Sequence, residues 1–535
     1  MTQNNLGNAY TDRIQGDRTD NLERAIAYYQ TALQVYTREA FPREWAGVQT
    51  NLGNVYSDRT EGEKADDLER AIAYYQAALE VYTRETFPSE WAEVYNNLKT
   101  IISLDLAKFY QACNPSPLKF ANPQDQKYYI NLSSVRGGNT IKQIGRTITR
   151  LSPHKPTCQL FTGYIGCGKS TELQQLKLGL EKQGCHVVYF ESSHFLEMAD
   201  VDVTDILLAI ARSVAESLEA VKIRLQPAYF VNLFREIGDF LQTPIELSIA
   251  KFSLPGGIAK ITTKMKDSPR LRSQLRQYLE PRTNGILKAI NQEVLTPATE
   301  KLKRIGKKGL VVIIDNLDRL ENTIKPTGEP QPVYLFVDRG EQLKQLNCHV
   351  VYTIPLCLIF SNAWERLTNR FAVVPKVLPM VTVQLRQGGE CKEGIALLQQ
   401  MVLARAFPDM NPVQRLDCLS EVFDHPDTLK RLCQISGGHT RQLLMLIARC
   451  LERDDPPFSR DCIEDIIRQR RNQLTLAIAE DEWIYLREVA QQKSLRGEEK
   501  FQILIRDMFV FEYRDSQGSW FDINPILAEA EEFQL

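Results

Sequence analysis

Gly163-Tyr164-Ile165-Gly166-Cys167-Gly168-Lys169-Ser170 is the stretch that decides how this chain is read. It follows the strand-like Thr157-Cys158-Gln159-Leu160-Phe161-Thr162 and runs into the helix-forming Thr171-Glu172-Leu173-Gln174-Gln175-Leu176-Lys177. The spacing is G-x-x-x-x-G-K-[ST] in a strand, loop, helix context, the signature of a phosphate-binding loop. Glycines let successive backbone N–H groups wrap phosphate oxygens, and the helix that follows points its positive end at them. The expected nucleotide-binding set is Gly163, Gly166, Cys167, Gly168, Lys169, Ser170 and Thr171. Lys169 reaches the β- and γ-phosphates of ATP and Ser170 ligates Mg²⁺. Cys167 sits near a helix N-terminus, which can lower a thiol's pKa; filling a tight loop with a small side chain is the competing reading.

Such a site needs a second, acidic element at the end of a buried parallel strand, and Gly309-Leu310-Val311-Val312-Ile313-Ile314-Asp315-Asn316-Leu317-Asp318-Arg319 supplies it. Its unbroken apolar run reads as a strand covered on both faces. Asp315 then holds the Mg²⁺ shell as a Walker B carboxylate does. Common AAA+ ATPases place a Glu directly after that Asp to polarise the attacking water, whereas Asn316 stands here, so hydrolysis is expected to be slow. Asp318 either orients the water or pairs with a neighbouring base.

Around these motifs the chain alternates strand and helix, as a doubly wound parallel sheet does. His186-Val187-Val188-Tyr189-Phe190-Glu191 is a strand and Val203 to Glu219 a helix. Residues 222–308 read as an insertion of helices plus a hairpin at Leu254-Pro255-Gly256-Gly257, with a basic run at Lys301, Lys303, Arg304, Lys307 and Lys308. Cys348-His349-Val350-Val351-Tyr352-Thr353 is a further strand, and Thr353 at its end is the candidate sensor of the γ-phosphate. Arg366 and Arg370 are candidates for a guanidinium that stabilises transition-state charge from a neighbouring subunit, and Arg370 is preferred. In Ser436-Gly437-Gly438-His439-Thr440-Arg441, the cation Arg441 stands in the first turn of a helix, where it opposes the helix dipole unless a phosphate is near.

The front of the chain repeats itself with a period of 46 residues: Gln3-Asn4-Asn5-Leu6-Gly7-Asn8-Ala9-Tyr10 returns as Gln49-Thr50-Asn51-Leu52-Gly53-Asn54-Val55-Tyr56. A third start follows at Asn97-Leu98. Each unit reads as a helix pair: Glu44 to Arg59 as helix A, a turn at Gly62, then helix B capped by Asp66 or Asp67 and stopped by Phe87-Pro88. Small Gly53 and Ala78 on helical faces make these units resemble tetratricopeptide (TPR) repeats, whose stacking implies a groove for a protein or peptide partner. Met1 aligns with Gly47, so the first unit opens inside its A helix, either as half a repeat or as part of a longer array.

The expected organisation is an all-α TPR-like array at 1–112, a Pro-rich linker at 113–125, and an α/β P-loop NTPase core at 126–380. A helical lid at 381–456 and a winged-helix-like domain at 457–535 complete it. The last reading rests on helices up to Met508 followed by alternation from Val510 to Ile523 around Ser516-Gln517-Gly518. Glu498, Glu499, Asp507 and Asp515 make it a poor DNA reader and a better internal packing module. With 535 residues, a formal charge of −2 and 43% hydrophobic residues, the chain is a multidomain globular protein with no global pull toward polyanions. No apolar run approaches a spanning helix, and the 11 scattered Cys lack a metal-ligand spacing, so a cytoplasmic chain with reduced thiols is expected.

Taken together, the phosphate loop, Val311-Val312-Ile313-Ile314-Asp315-Asn316-Leu317-Asp318, Gly437-Gly438-His439-Thr440-Arg441 and the terminal hairpin make the chain resemble STAND-class signalling ATPases, in the motif style of KAP and NACHT relatives. That resemblance implies an ATP- and Mg²⁺-dependent switch that forms a homo-oligomer when ATP is bound. A DNA-directed AAA+ ATPase, similar to replication initiators or transposition regulators, and a TPR scaffold with an inert nucleotide site are the alternatives.

Overall fold

A computed structural model describes residues 2–59, 64–225, 227–240, 255–259, 263, 268–495 and 499–534. The chain divides into two compact units, Met1–Ala112 with Val402–Val422, and Cys113–Met401 with Phe423–Leu535.

The first unit is built from α1 (Thr2–Thr11), α2 (Arg18–Leu33), α3 (Pro42–Asp58), α4 (Lys64–Leu79) and α5 (Pro88–Ile101). The sequence period becomes a repeated joint. A Cβ on Gly7 would lie 2.4 Å from the Tyr29 ring, and one on Gly53 would lie 2.5 Å from the Tyr75 ring, so glycine is what lets each ring lie against the preceding helix. Each tyrosine then donates to an asparagine of that helix, Tyr29 to Asn8 at 2.8 Å and Tyr75 to Asn54 at 2.6 Å. Asparagines also bridge successive A helices, Asn51 to Asn8 at 3.0 Å and Asn97 to Asn54 at 3.1 Å.

Two boundaries differ from expectation. Helix α4 ends at Leu79, and Phe87-Pro88 opens α5 instead of stopping α4. Proline fits there because a first-turn N–H has no partner to lose. Helix α4 starts at Lys64, so Asp66 and Asp67 lie in its first turn, where Asp67 also pairs with Arg59 at 3.3 Å. The turn at Gly62 lies outside the described residues.

Residues 402–422, read from sequence as part of the lid, share the core of this unit. The Tyr95 hydroxyl meets the Cys418 thiol at 3.6 Å, Arg84 pairs with Asp417 at 3.1 Å and Lys99 with Glu421 at 2.9 Å. Val402, Leu403, Phe407 and Val422 are fully buried.

The second unit is organised by a parallel sheet of β1 (Cys158–Gly163), β2 (His186–Glu191), β3 (Leu310–Asp315), β4 (His349–Thr353) and β5 (Lys376–Leu378) in the order β2-β3-β4-β1-β5. Successive side chains point to opposite faces. Phe161, Val187, Val311, Ile313 and Val351 share one core with Leu173, Leu176 and Leu180 of the helix Lys169–Lys182. Val188, Val312, Ile314, Val350 and Tyr352 share the other with the helix Val203–Ala220. Helices of the segment read as an insertion join that second core through Phe230, Phe234, Leu275, Leu279 and Ile286. In place of the expected hairpin, Pro255, Gly256 and Gly257 lie in a helical segment, 255–259, and Leu254 lies outside the described residues.

After the helices Glu482–Gln492 and Glu499–Arg506, β6 (Val510–Asp515) and β7 (Gly518–Ile523) form an antiparallel hairpin. Its inner face packs inward: Phe511, Tyr513 and Trp520 belong to the same core as Phe161, Tyr164 and Cys167. Asp515 near its turn holds Arg386 through bonds of 2.9 and 3.0 Å. Glu498 lies outside the described residues.

All 11 cysteines are free, eight of them buried. Among the described residues, no helix is long and apolar enough to cross a membrane and no His/Cys/Asp/Glu group could by itself hold a metal ion.

Candidate functional site

Strand register brings the predicted groups to one edge of the sheet. Glu191 pairs with Asp315, Ile314 with Tyr352, and Phe161 with Thr353, so the carboxyl ends of β2, β3, β4 and β1 lie in a row. The phosphate loop leaves β1 at Gly163, and Gly168, at φ +101°, caps the helix Lys169–Lys182. Ser170 and Thr171 follow in its first turn; the Thr171 hydroxyl accepts a bond from the Leu118 N–H at 3.3 Å.

Lys169 is 6% exposed. Its ammonium donates to the carbonyls of Gly163 at 2.8 Å and Tyr164 at 2.7 Å and lies 2.9 Å from the Asp318 carboxylate. Burial disfavours that ammonium, but Asp318, together with Cys167 and Asp315, favours it, and the Lys169 pKa is raised. Asp315 is fully buried; it accepts the Tyr189 hydroxyl at 2.6 Å and the Asn316 N–H at 2.7 Å, and it bonds the Ser170 hydroxyl. Burial raises its pKa against those bonds. Hydroxyl and carboxylate oxygens are the hard donors that Mg²⁺ takes, so Ser170 and Asp315 fit that ion.

Thr353 is buried, and its hydroxyl accepts from the Leu317 N–H at 2.9 Å and donates to the Ile314 carbonyl at 3.3 Å. It braces the turn that carries Asp315 and Asp318. Arg370 lies apart from this cluster, on the helix Trp364–Phe371, where its Nε donates to the Val337 carbonyl at 3.0 Å; Arg366 pairs with Asp338 at 2.7 Å.

The Gly-Gly-His-Thr-Arg segment closes directly on the loop. His439 Nε2 lies 2.8 Å from the Ile165 carbonyl, and the Thr440 hydroxyl and Arg441 N–H donate to the Gly166 carbonyl at 2.9 and 3.2 Å. Gly166 has φ +87°, and a Cβ on it would fall 2.8 Å from both His439 Nε2 and the Arg441 Cβ. Burial pushes the His439 pKa down to about 4, leaving a neutral ring that donates from Nε2 and accepts the Gln442 N–H at Nδ1. Burial and the charge of Arg319 lower the Arg441 pKa.

Sequence reasoning missed three members. Arg136, 3% exposed, donates to the Cys167 carbonyl at 2.7 Å. It precedes Gly137-Gly138, a pair that flags a turn but carries no spacing rule linking it to the loop. Tyr189 interrupts an apolar strand on the face that holds Asp315, a signal that strand alternation could have raised. Asn316, at φ +66°, donates from its side chain to Glu191 at 2.8 Å. Cys167, by contrast, is fully buried, with its sulfur 3.7 Å from the Leu378 carbonyl.

Residues 1–115 are similar to the family model of soluble NSF attachment protein, SNAP, and residues 138–326 to that of the KAP family P-loop domain. No curated protein matches the chain. Among solved structures, a Walker-type ATPase of Pyrococcus abyssi is similar over 79% of this chain and 100% of its own, at 10% identity and a TM-score of 0.37. The ORC2 protein of Aeropyrum pernix, solved as ADPNP and ADP complexes, is similar over 74% of this chain and 91% of its own, at 11% identity and a TM-score of 0.35. By the matched model and the loop geometry, the chain carries a P-loop NTPase domain preceded by a helical region.

Proposed function

We propose that this chain is an ATP- and Mg²⁺-dependent molecular switch of the STAND type, slow to hydrolyse its nucleotide, whose assembly state follows the nucleotide held. The observation that carries this reading is the direct bonding of His439, Thr440 and Arg441 to the carbonyls of Ile165 and Gly166. A loop that must rearrange around phosphates is thereby tied to the helix Thr440–Arg453, so nucleotide occupancy is transmitted to that helix. In this reading Gly163, Gly166, Cys167, Gly168 and Thr171 shape the cradle, Lys169 takes the β- and γ-phosphates, and Ser170 and Asp315 hold the metal. Arg441 faces the phosphates, Thr353 fixes the Asp315 turn, and Arg370 serves a neighbouring subunit. The helical repeats act as a docking arm for a protein or peptide.

Mass in solution without nucleotide, with ADP and with a non-hydrolysable ATP analogue tests the switch. A larger species is expected with the ATP analogue alone. Tight ATP binding with one mass in all three conditions would make the chain a scaffold with an inert site.

A further inference from the structure

Asn316 replaces the carboxylate expected directly after Asp315, and the acidic group reappears one strand away. Glu191 closes β2 in register with Asp315. Tyr189, two residues earlier on the same face, reaches Asp315 at 2.6 Å and is bonded by Gln174 of the phosphate-loop helix. Glu191 therefore stands on the face of the sheet that meets the phosphate loop, beside the carboxylate that fits the metal. Its Oε2 accepts from Asn316 Nδ2 at 2.8 Å, and Asn316 is itself locked, with φ +66° and its N–H on Asp315 Oδ1 at 2.7 Å. Positive φ is costly for a residue other than glycine. Here it turns the amide onto Glu191.

The other acidic groups at the strand ends are committed. Asp315 is fully buried and holds Tyr189, Ser170 and the Asn316 N–H, and Asp318 is 5% exposed against Lys169. The Glu191 side chain is 31% exposed, and His194 Nε2, at 4.0 Å, is its only partner among the described ion pairs. It combines a fixed orientation with access to water.

We propose that Glu191 is the carboxylate that orients the attacking water toward the γ-phosphate and accepts its proton, with Asn316 as the positioning residue that holds it. The water oxygen forms a bond to the γ-phosphorus while the bond from that phosphorus to the β–γ bridging oxygen breaks. The electron pair leaves with ADP, and the proton passes through Glu191 to solvent. This inference rests on the reading of the site as an ATPase.

The test uses the full chain and measures phosphate release separately from equilibrium binding of a fluorescent ATP analogue. Glu191→Gln preserves an acceptor for Asn316, so folding and binding should stay within about 3-fold of wild type while turnover falls ~100-fold or more. The nucleotide recovered from the variant should be ATP rather than ADP. Asn316→Ala should lower kcat ~10-fold at unchanged KM; an equal kcat with only a lower melting temperature would make Asn316 merely structural and overturn its assigned role. Normal turnover in Glu191→Gln overturns the proposal, and loss of turnover in Asp318→Asn alone would move the role to Asp318. A wild type that binds ATP without turnover also overturns it, yet keeps the nucleotide site. Unchanged affinity in Lys169→Ala instead sinks the site itself.

Discussion

The Lys169 ammonium and the Asp318 carboxylate lie 2.9 Å apart, each side chain 5% exposed. Neither charge can be removed without stranding the other in a place water does not reach. Asp318 Oδ1 already has no bonding partner, so Lys169 is its main compensation.

Lys169→Ala is therefore expected to cost about 3–5 kcal/mol of stability in addition to abolishing ATP binding. Adding Asp318→Asn should restore most of the stability and none of the binding. Denaturant unfolding of the four proteins in the cycle checks this, and additive losses would mean that the pair is not coupled.

Acid should loosen the contact between the phosphate loop and the helix Thr440–Arg453. The His439 pKa is pushed down to about 4 from an ordinary value near 6.5, so below pH 6.5 the unfolded chain binds a proton that the folded chain refuses. Stability from the neutral ring is whole above pH 6.5 and is lost as pH falls toward 4. The full loss is on the order of 3 kcal/mol. His439→Gln should flatten this part of the stability profile, and an unchanged slope between pH 6.5 and 4.5 would show that other groups set it.

Gly53→Ala in a helix interior ordinarily stabilises by about 0.5–1 kcal/mol. At this position the new methyl would meet the Tyr75 ring at 2.5 Å, and the expected sign is reversed, with a loss of ~1–3 kcal/mol. Gly179→Ala, with nothing within 4 Å of its Cβ, is the control. Thermal melting of the two variants should move in opposite directions.

Deleting residues 1–112 strips 402–422 of the core that Tyr95, Arg84 and Lys99 help build. We expect aggregation from the exposed Val402, Phe407, Met410 and Val422, and recovery of a soluble, ATP-binding protein when 402–422 is also replaced by a short polar linker. A soluble, monomeric simple deletion would show that 402–422 folds without the array.

Local chemistry makes much of this legible in the sequence. The phosphate loop is contiguous, and its glycines and lysine are dictated by the backbone path, so Gly163 to Thr171 could be read directly. The repeat period survives because each unit must meet the next in the same way. What stayed hidden is what distant segments do to one another. Arg136 reaches Cys167 across 31 positions and Glu191 meets Asn316 across 125, and no period or spacing links such pairs. Residues 402–422 show the same: their helical pattern is the same whichever core it enters. Pro88 misled because proline both ends and begins helices, and only the partners of the neighbouring N–H groups distinguish the two.

The asparagine bridges carry one further consequence. Because Asn8 to Asn51 and Asn54 to Asn97 are the same contact at the same sequence offset, the joint between units is a standard coupling. A whole 46-residue unit inserted at this coupling would find matching groups at both of its ends. The number of helix pairs is thus a quantity that duplication can change in single steps, without redesigning any side chain in the unit that holds the phosphate loop.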